Sequence, residues 1–342
     1  MVLQLINCSG CHVPLQLPPS APSVRCALCD FVTHVAGGGG ATPPPQRGPP
    51  PPSGSRGRKR AVVCAVSYRK TRFHLKGSIN DAKCMKYFLT NRYRFPQESI
   101  LTLTEEETDP DMIPTKYNIR RALYWLVHGC QPGDSLVFHY SGHGSQQRNY
   151  NGEELDGYDE TLCPMDFQTQ GMIVDDELNA TIVRPLPHGV KLHAIIDACH
   201  SGTMLDLPFL CRMDRNGQYV WEDHRPRSGT WKGTNGGEAI SFSGCDDNQT
   251  SADTSALSRN TSTGAMTFCF IKAIEQGHGD TYGSILNAMR STIRNTSGAT
   301  AGGPITSLLS MLLTGGSLGA LKQEPQLTSN YTIDVYKKPF SL

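Results

Sequence analysis

The sequence predicts an α/β protein in which a mostly parallel, six-stranded sheet is covered by helices on both faces, with a small cysteine-rich unit before it. Three observations support this prediction. From Ala61 onward, short apolar runs alternate with segments of helical period, a pattern typical of parallel sheets. The N-terminal residues contain cysteines in two closely spaced pairs. A stretch rich in Pro and Gly separates the two parts.

Composition divides the chain into three segments, which are residues 1–36, 37–59 and 60–342. The middle segment has no apolar face to bury, so we expect a disordered linker with polyproline II character. The third segment is long enough for a full-sized core. Within it we expect a large portion (60–211), a polar, Gly-rich linker (212–237) and a small portion (238–342).

The elements of the third segment follow from its periodicity. Apolar runs predict strands at Ala61–Ser67, Ile100–Leu103, Ser135–Tyr140, Lys191–Ile196, Ala239–Ser243 and Tyr331–Lys337. Helical spacing of apolar residues predicts helices at Ile79–Tyr93, Lys116–Val127, Asp176–Arg184, Met266–Gln276, Tyr282–Thr292 and Pro304–Thr314. Helices between most successive strands imply parallel neighbours and coverage of both faces.

The N-terminal cysteines have the spacing of a metal site. Cys8 and Cys11 form one pair and Cys26 and Cys29 the other, the pattern of a closed tetrahedral Zn²⁺ site with four thiolate ligands. The segment is too short for a core of its own, so metal binding would have to supply its folding energy. Buried thiols without a metal are the alternative. We therefore expect a small structural zinc finger.

Charge and hydropathy limit the partners and the compartment. A net charge of +1, from 32 basic and 31 acidic residues, provides no broad attraction to nucleic acid or to an anionic membrane. Met1–Ile6 lacks the basic leader of a secretory signal, and the dense apolar run Leu308–Leu313 is too short to span a bilayer. We expect a protein of the cytosol or nucleus, where cysteines serve catalysis, metal binding or burial instead of disulfides.

Two reactive side chains follow predicted strands. His143 lies in the run Tyr-Ser-Gly-His-Gly and Cys199 in the run Asp-Ala-Cys-His-Ser-Gly. Functional groups collect beyond the carboxyl ends of strands in an open α/β sheet, so both side chains are expected on one rim. A thiol needs a nearby base to become a thiolate at neutral pH. The pattern predicts Cys199 as nucleophile and His143 as general base, with the N–H groups of Gly142 and Cys199 as oxyanion donors.

Each of these residues has a structural alternative. A lone cysteine at a strand end is usually a small buried hydrophobe, and a lone histidine is usually a satisfied polar group. The two motifs together favour catalysis. His200 is a rival base, but an adjacent side chain on a turn cannot easily reach Cys199 with the correct geometry. The remaining cysteines are interpreted as buried thiols, with Cys245 a candidate for a supporting or redox role.

The two motifs resemble the paired motifs of metacaspases, and the N-terminal unit resembles that of a plant type I metacaspase. The histidine precedes the cysteine by 56 residues, similar to the interval of roughly fifty residues in the caspase arrangement. The resemblance runs from Arg60 to the C-terminus and includes residues 76–81 and 244–251. It implies a caspase-like fold, the activity of a cysteine endopeptidase and a role linked to regulated cell death.

The resemblance also implies a specificity. Animal caspases cut after aspartate, whereas metacaspases cut after arginine or lysine. Matched to the family, Asp81, Ser141 and Asp197 line the primary specificity pocket, and Ser78 stands where relatives often carry cysteine. Carboxylates attract a basic side chain and repel an acidic one. We expect protein and peptide substrates with Arg or Lys before the scissile bond.

The segment between the two motifs is rich in acidic residues. From the residues alone, a solvated surface is favoured over a hard oxygen site of the kind that Ca²⁺ prefers. The resemblance reverses this preference, because Asp159, Asp175, Asp176 and Asp206 match the positions that bind activating calcium in metacaspases. We expect calcium to order the loop that follows Cys199.

The remaining predictions concern regulation. The cysteine spacing and Val24 resemble the plant LSD-type zinc finger, which implies protein partners for the finger and the Pro-rich segment. An enzyme that prefers basic residues is expected to cut itself after Arg225, Arg227 or Lys232, and the basic run 58–60 is a further site that would release the N-terminal unit. We expect a monomer.

Two other functions stay open at this point. A caspase-like hydrolase specific for asparagine or aspartate would oppose the acidic pocket, and a non-catalytic scaffold would act through the zinc finger and the Pro-rich segment. Hydrolysis of peptides ending in Arg, Lys, Asp or Asn separates the three functions.

Overall fold

The chain folds into two compact units, Met1–Arg58 and Lys59–Leu342. The computed structural model describes residues 4–7, 14–17, 23–25, 32–34, 57–149, 154, 157–199, 201–244, 265–296 and 325–342. In the first unit, β1 (Gln4–Asn7) pairs antiparallel with β2 (Pro14–Leu17), and β3 (Ser23–Arg25) pairs antiparallel with β4 (Val32–His34). The four zinc-finger cysteines lie outside the described residues; in sequence, one pair falls between β1 and β2 and the other between β3 and β4.

The second unit is built on a large sheet. The strands of the second unit are β5 (Lys59–Ala65), β6 (Ile100–Leu103), β7 (Ser135–Ser141), β8 (Gly144–Arg148), β9 (Tyr158–Leu162), β10 (Ile173–Val174), β11 (Lys191–Asp197), β12 (Phe209–Met213), β13 (Tyr219–Asp223), β14 (Glu238–Gly244) and β15 (Pro325–Ser329). The large sheet has the order β13-β12-β15-β14-β11-β7-β5-β6, while β8, β9 and β10 form a small antiparallel sheet. The run from β14 to β6 is parallel, and β15, β12 and β13 add an antiparallel edge.

Helices cover both faces of the sheet. They are α1 (Ser78–Tyr93), α2 (Lys116–Val127), α3 (Phe167–Gln170), α4 (Asp175–Leu178), α5 (Ala265–Ala273) and α6 (Tyr282–Thr296), with π-helical continuations of α4 at Asn179–Val183 and of α5 at Ile274–His278. Short 3-10 turns precede β6 and α2, at Gln97–Ser99 and Pro110–Met112. The start of α2 is capped by the Thr115 side chain, which accepts the N–H of Asn118 at 3.2 Å.

Successive side chains of the central strands point alternately to the two faces of the sheet, and both faces are buried. This explains why the sequences of these strands are continuously apolar. In β5, Ala61 and Val63 join the core formed with α1, α5 and α6, whereas Val62 and Cys64 join the core formed with α2. A parallel strand buried on both faces needs apolar residues at every position. The predicted fold class, a mostly parallel sheet with helices on both faces, is confirmed.

Several elements differ from the prediction in detail. The large sheet has eight strands instead of six, because β12 and β13 form a hairpin around Asn216 and Gly217, within and beside the stretch interpreted as a linker. Gly217 has φ of 82°, a conformation that glycine adopts without strain. The strand predicted at Tyr331–Lys337 is wrong. Pro325–Ser329 pairs with β14 instead, while residues 335–337 form a turn in which backbone N–H groups bond to Asp334. The helix predicted at Pro304–Thr314 lies outside the described residues.

The ends of the second unit meet. The Lys59 side chain at the start of β5 donates to the carbonyl oxygens of Tyr93 at 2.6 Å and of Leu342 at 2.8 Å. Arg60 beside it donates to the carbonyls of Trp125 and His128, both at 2.9 Å. These hydrogen bonds therefore connect β5, the first strand of the second unit, to α1, to the end of α2 and to Leu342. Among the described residues, no helix is long and apolar enough to cross a membrane.

Candidate active site

The register of β7 and β11 brings the two predicted catalytic residues to one edge of the sheet. Ser141 pairs with Asp197 at the end of these neighbouring parallel strands, and His143 and Cys199 each lie two residues further on. The carbonyl oxygen of Cys199 would lie 2.0 Å from a Cβ placed on Gly144. Position 144 therefore has to be glycine for this approach, and the two loops touch through their backbones.

The His143 ring has a defined tautomer. Its Nε2 lies 2.8 Å from the carbonyl oxygen of Phe73, and because a carbonyl can only accept, Nε2 carries the hydrogen. In the neutral ring this leaves the lone pair on Nδ1. Burial lowers the pKa of His143 from its ordinary value, and the bond to Phe73 opposes this shift in part. A buried imidazole with a depressed pKa stays neutral and able to accept a proton.

Two tyrosines hold the backbone of His143. The N–H of His143 donates to the Tyr68 hydroxyl at 2.9 Å, while the Tyr140 hydroxyl donates to the His143 carbonyl at 3.1 Å. The rings of Tyr68 and His143 also lie 4.8 Å apart, centroid to centroid. The hydroxyl of Tyr68 in turn donates to the Cys163 carbonyl at 2.5 Å. Sequence reasoning missed both tyrosines, because their role depends on contacts between distant segments.

Cys199 differs from the other cysteines that the structure describes. Its thiol is partly exposed, whereas Cys64, Cys84, Cys130, Cys163, Cys211 and Cys269 are buried. Burial raises the pKa of Cys84, Cys163, Cys211 and Cys269 to about 12, which keeps these thiols protonated and unreactive. The rival base His200 and Cys245 lie outside the described residues.

The N–H of Gly142, which was predicted as an oxyanion donor, has a backbone acceptor in the structure. It donates to the carbonyl oxygen of Asp197 at 3.2 Å, so the parallel ladder between β7 and β11 extends one residue past Ser141 and engages this group. Gly144 is the glycine that lies against the backbone of Cys199. Sequence reasoning chose between two glycines that flank one histidine, and the spacing gave no means of telling them apart.

The predicted specificity pocket is defined here by Asp81, Ser141 and Asp197, and the structure brings the three together. All are buried. The hydroxyl of Ser141 donates to Asp81 at 2.7 Å, and the N–H of Thr267 near the start of α5 donates to Asp197 at 2.7 Å. Burial, and then the charge of Asp197, raise the pKa of Asp81 well above its usual range. Two carboxyl groups share one desolvated site and favour a bound cation.

Ser78 lies one helical turn before Asp81 on the same face of α1. Its side chain is buried, and its hydroxyl has no hydrogen-bond partner among the described residues. A buried polar group of this kind costs free energy unless a ligand or water satisfies it.

Comparison with known proteins decides the family. A model described as "Metacaspase, peptidase C14 domain" matches residues 59–208, which include His143 and Cys199, and a model described as "LSD1 zinc finger" matches residues 8–32. Metacaspase-1 of Arabidopsis thaliana is 70% identical over 353 residues, covering 99% of this chain and 96% of that protein. This chain belongs to the metacaspase family.

Other relatives agree with this membership. Metacaspase-2 of Arabidopsis thaliana is 49% identical over 418 residues and covers 100% of both chains. Metacaspase-3 of the same plant is 52% identical over 288 residues, 84% of this chain and 76% of that protein. The resemblance to plant type I metacaspases is confirmed, and with it the activity of a cysteine-type endopeptidase. A scaffold without catalysis is not favoured.

A second group of carboxylates in this metacaspase is called the acidic cluster and consists of Glu154, Asp175 and Asp206. Oxygen atoms of the three side chains lie within 4.8 Å of one another. Burial, and then neighbouring carboxylates, raise the pKa of Asp175 to about 11 and of Glu154 to about 9. Burial also raises the pKa of Asp206 to about 6, against the lowering effect of Lys232. Oxygen ligands at this separation suit a hard cation such as Ca²⁺.

The cluster overlaps the predicted calcium ligands in part. Asp175 and Asp206 belong to it, and Asp176 is linked to Asp206 through an ion pair that both make with Lys232. The Asp159 side chain instead accepts hydrogen bonds from Gln147 and Asn149. Glu154 was not among the predicted ligands. It precedes the strand β9, and nothing in the local sequence distinguished it from its acidic neighbours.

The three predicted self-cleavage residues have different surroundings. Arg225 and Arg227 are exposed, and Arg225 forms an ion pair with Asp223. Lys232 is buried, with 3% of its surface accessible. The first two residues are open to solvent, whereas Lys232 would become so only after a rearrangement of the chain.

Proposed function

We propose that this metacaspase cleaves proteins after arginine or lysine, with Cys199 as nucleophile and His143 as general base. The observation that carries the proposal is the pair of buried carboxyl groups in the specificity pocket, Asp81 and Asp197. Asp197 ends the strand that leads to Cys199, and its pairing partner Ser141 ends the strand that leads to His143. A guanidinium or ammonium group would compensate the buried acidic pair, whereas a carboxylate would add a further negative charge to it.

In the observed tautomer of His143, Nδ1 carries the lone pair and can act as the base. Nδ1 takes the proton of the Cys199 thiol, and the thiolate attacks the carbonyl carbon of the substrate. The negative charge on the carbonyl oxygen is met by backbone N–H groups, for which we propose Cys199 and Gly144, since the N–H of Gly142 is engaged. Nδ1 then protonates the leaving amine, and water hydrolyses the thioester that remains. The bond from Nε2 to Phe73 holds the ring in one orientation.

Calcium activation rests on the acidic cluster and Asp176. These carboxylates come from three separate segments, the residues before β9, the start of α4 and the loop that follows Cys199. Asp206 in that loop has φ of 52°, and its backbone N–H donates to the Thr203 carbonyl at 2.6 Å. The Thr203 hydroxyl donates to Glu160 at 2.7 Å. A cation held by these groups would fix the loop that begins at the nucleophile.

Several broader features complete the proposal. The four cysteines of the finger, Cys8, Cys11, Cys26 and Cys29, would bind structural Zn²⁺ and present the finger to protein partners. The enzyme would work as a monomer in the cytosol or nucleus and act in regulated cell death. Self-processing would begin at Arg225 or Arg227, because both are exposed.

The test compares peptides that differ in one residue before the scissile bond: Arg, Lys, Asp or Asn. We expect hydrolysis of the first two alone, in the presence of calcium, and none by the Cys199→Ala protein. Faster cleavage after Asp or Asn would overturn the specificity. Equal rates with calcium and with a chelator would overturn the activation.

Self-processing needs its own control. Wild-type and Cys199→Ala proteins are incubated with calcium, and the fragments are identified by mass. We expect a cut after Arg225 or Arg227 in the wild type only. The same fragments in both proteins would mean that a contaminating peptidase makes them.

A further inference from the structure

The loop that follows β5 supplies two contacts to His143. Tyr68 accepts the N–H of His143 through its hydroxyl, and the carbonyl of Phe73 accepts Nε2–H. Tyr68 adopts φ of 51°, which is sparsely populated for a residue with a large side chain. Such a conformation persists only when other contacts over-determine it. The loop therefore needs an anchor outside itself.

Glu105, just beyond the end of β6, is that anchor. Its Oε2 accepts hydrogen bonds from the N–H and the hydroxyl of Ser67 and from the N–H of Tyr68, at 2.9 Å for Tyr68, while Oε1 accepts the N–H of Arg69 at 3.0 Å. Three consecutive backbone N–H groups thus converge on one carboxylate. Hydrogen bonds to an ionised acceptor are about twice as strong as neutral ones.

We propose that Glu105 is a positioning residue for catalysis. It does not touch the reacting atoms. By fixing residues 67–69, it holds the Tyr68 hydroxyl against the His143 backbone and the Phe73 carbonyl against Nε2. The base then keeps the tautomer in which Nδ1 can take the proton from Cys199.

The test is Glu105→Gln in the full-length enzyme with calcium. A glutamine side chain offers one oxygen where the carboxylate offered two, and its NH₂ group cannot accept the third N–H. We expect kcat to fall about ten- to a hundredfold, the scale expected when a catalytic group is slightly misplaced, with an unchanged KM. The acid limb of the kcat profile moves to lower pH, because the bond to Phe73 raises the pKa of His143 and would be weakened.

Glu106→Gln is the matched control. Glu106 is the next residue, and its side chain pairs with those of Arg69 and Lys83 instead of backbone N–H groups. We expect wild-type kcat and pH profile from it. Wild-type kinetics in Glu105→Gln, or an equal loss in the control, would overturn the proposal.

If Glu105→Gln fails to fold, Thr71→Val tests the same loop. The Thr71 hydroxyl donates to the Tyr68 carbonyl at 2.7 Å and accepts the N–H of Phe73 at 3.1 Å. Valine keeps the shape and removes both bonds. A fall in kcat with the same pH shift supports positioning through the loop, and unchanged kinetics contradicts it.

A second, independent observation concerns Lys232. Its side chain is buried between two carboxylates, with Nζ paired to Asp176 and, at 2.8 Å, to Asp206. The Asn179 amide donates to the backbone carbonyls of Lys232 and Leu205, both at 2.9 Å. The segment that carries Lys232 is thus fastened to the loop that follows Cys199.

This ammonium group pairs with two of the carboxylates where calcium is proposed to bind. From that proposed function, we infer that Lys232 is a tethered cation that occupies the site in the absence of calcium. Calcium binding displaces the side chain and frees its segment from the acidic residues.

The inference is tested on binding rather than activity, in the Cys199→Ala protein. Methionine resembles the lysine stem and carries no charge. We expect Lys232→Met to bind calcium at least tenfold more tightly by calorimetry, because no cation has to be displaced. Its Tm without calcium should be lower than that of the parent, and calcium should restore it.

Lys337→Met is the matched control, since Lys337 makes an exposed ion pair with Asp334. It should change neither quantity. Equal or weaker calcium affinity in Lys232→Met would overturn the inference. If the parent binds no calcium at all, the proposed activation fails, and a lower Tm of Lys232→Met would still identify the lysine as the cation of the cluster. An unchanged Tm would then remove that role as well.

Discussion

The proposed specificity pocket and the acidic cluster both bury carboxyl groups, but different partners hold them. Asp81 and Asp197 accept hydrogen bonds from neutral donors, the Ser141 hydroxyl and the Thr267 N–H. Asp206 in the cluster meets the charged Lys232. Burial works against a charged ammonium, but Asp206 and Asp176 outweigh it and raise the pKa of Lys232. Neutral donors orient carboxylates without cancelling their charge, which suits a pocket for a cationic substrate. In the acidic cluster, by contrast, a second cation can bind Asp206 only by displacing the ammonium group of Lys232.

The largest expected effect is on the pocket. Asp197→Asn keeps an oxygen that can accept the Thr267 N–H but removes the charge. We expect kcat/KM for a peptide ending in Arg to fall about 100- to 1000-fold, from the loss of a buried charge pair of roughly 3–4 kcal/mol. Steady-state kinetics measures it. If the variant prefers Arg and Lys over Asp and Asn as strongly as the wild type does, Asp197 does not select the substrate.

The next effect concerns the cluster. Asp206→Asn removes a carboxylate that pairs with Lys232, and asparagine tolerates the left-handed conformation of this position. We expect calcium affinity to fall at least tenfold by calorimetry on the Cys199→Ala protein. The circular dichroism spectrum serves as the control for folding. A calcium affinity equal to that of the parent protein would mean that calcium binds at another site.

A smaller effect is expected on the proton that the pocket releases when a substrate binds. Because the pKa of Asp81 is raised, the free pocket retains a proton that a bound arginine would expel. Affinity for an Arg peptide should therefore rise with pH, by at most tenfold per pH unit, and level off above the pKa of the pocket. Calorimetry of the Cys199→Ala protein in two buffers of different ionisation enthalpy measures the released proton. Asp81→Asn should abolish the release.

The smallest effect is expected at Glu177, two residues after Asp175. Its carboxylate pairs with Arg120 of α2, both side chains being partly exposed. Glu177→Gln should lower the free energy of unfolding by about 1 kcal/mol or less and leave calcium affinity unchanged. A change in calcium affinity would extend the acidic cluster beyond its three residues.

The sequence was sufficient for the features that depend on local pattern. The runs that became β5, β7 and β11 are apolar on both faces, so their periodicity identified them, and the strand ends then located His143 and Cys199. The hairpin of β12 and β13 was missed, although Asn216-Gly217 is a strong turn signal. The Gly-rich, polar composition of the region around it favoured a linker.

Features that depend on contacts between distant segments could not be predicted in the same way. Glu105 looks like any acidic residue after a strand, and its role appears only when the loop from β5 folds against it. Lys232 was interpreted as a cleavage site because it is a basic residue in a polar, Gly-rich stretch. Its burial follows from partners far away in the chain, at Asp176 and Asp206.

The contact between Lys59 and the Leu342 carbonyl, at 2.8 Å, has a topological consequence. Since the first strand and the last residue of the second unit touch, a short loop joining them would close with little entropic cost. New ends opened at the turn around Gly217 should then give a circular permutant that folds to the same shape. The order in which the gene encodes these strands is in that sense separable from the architecture they form.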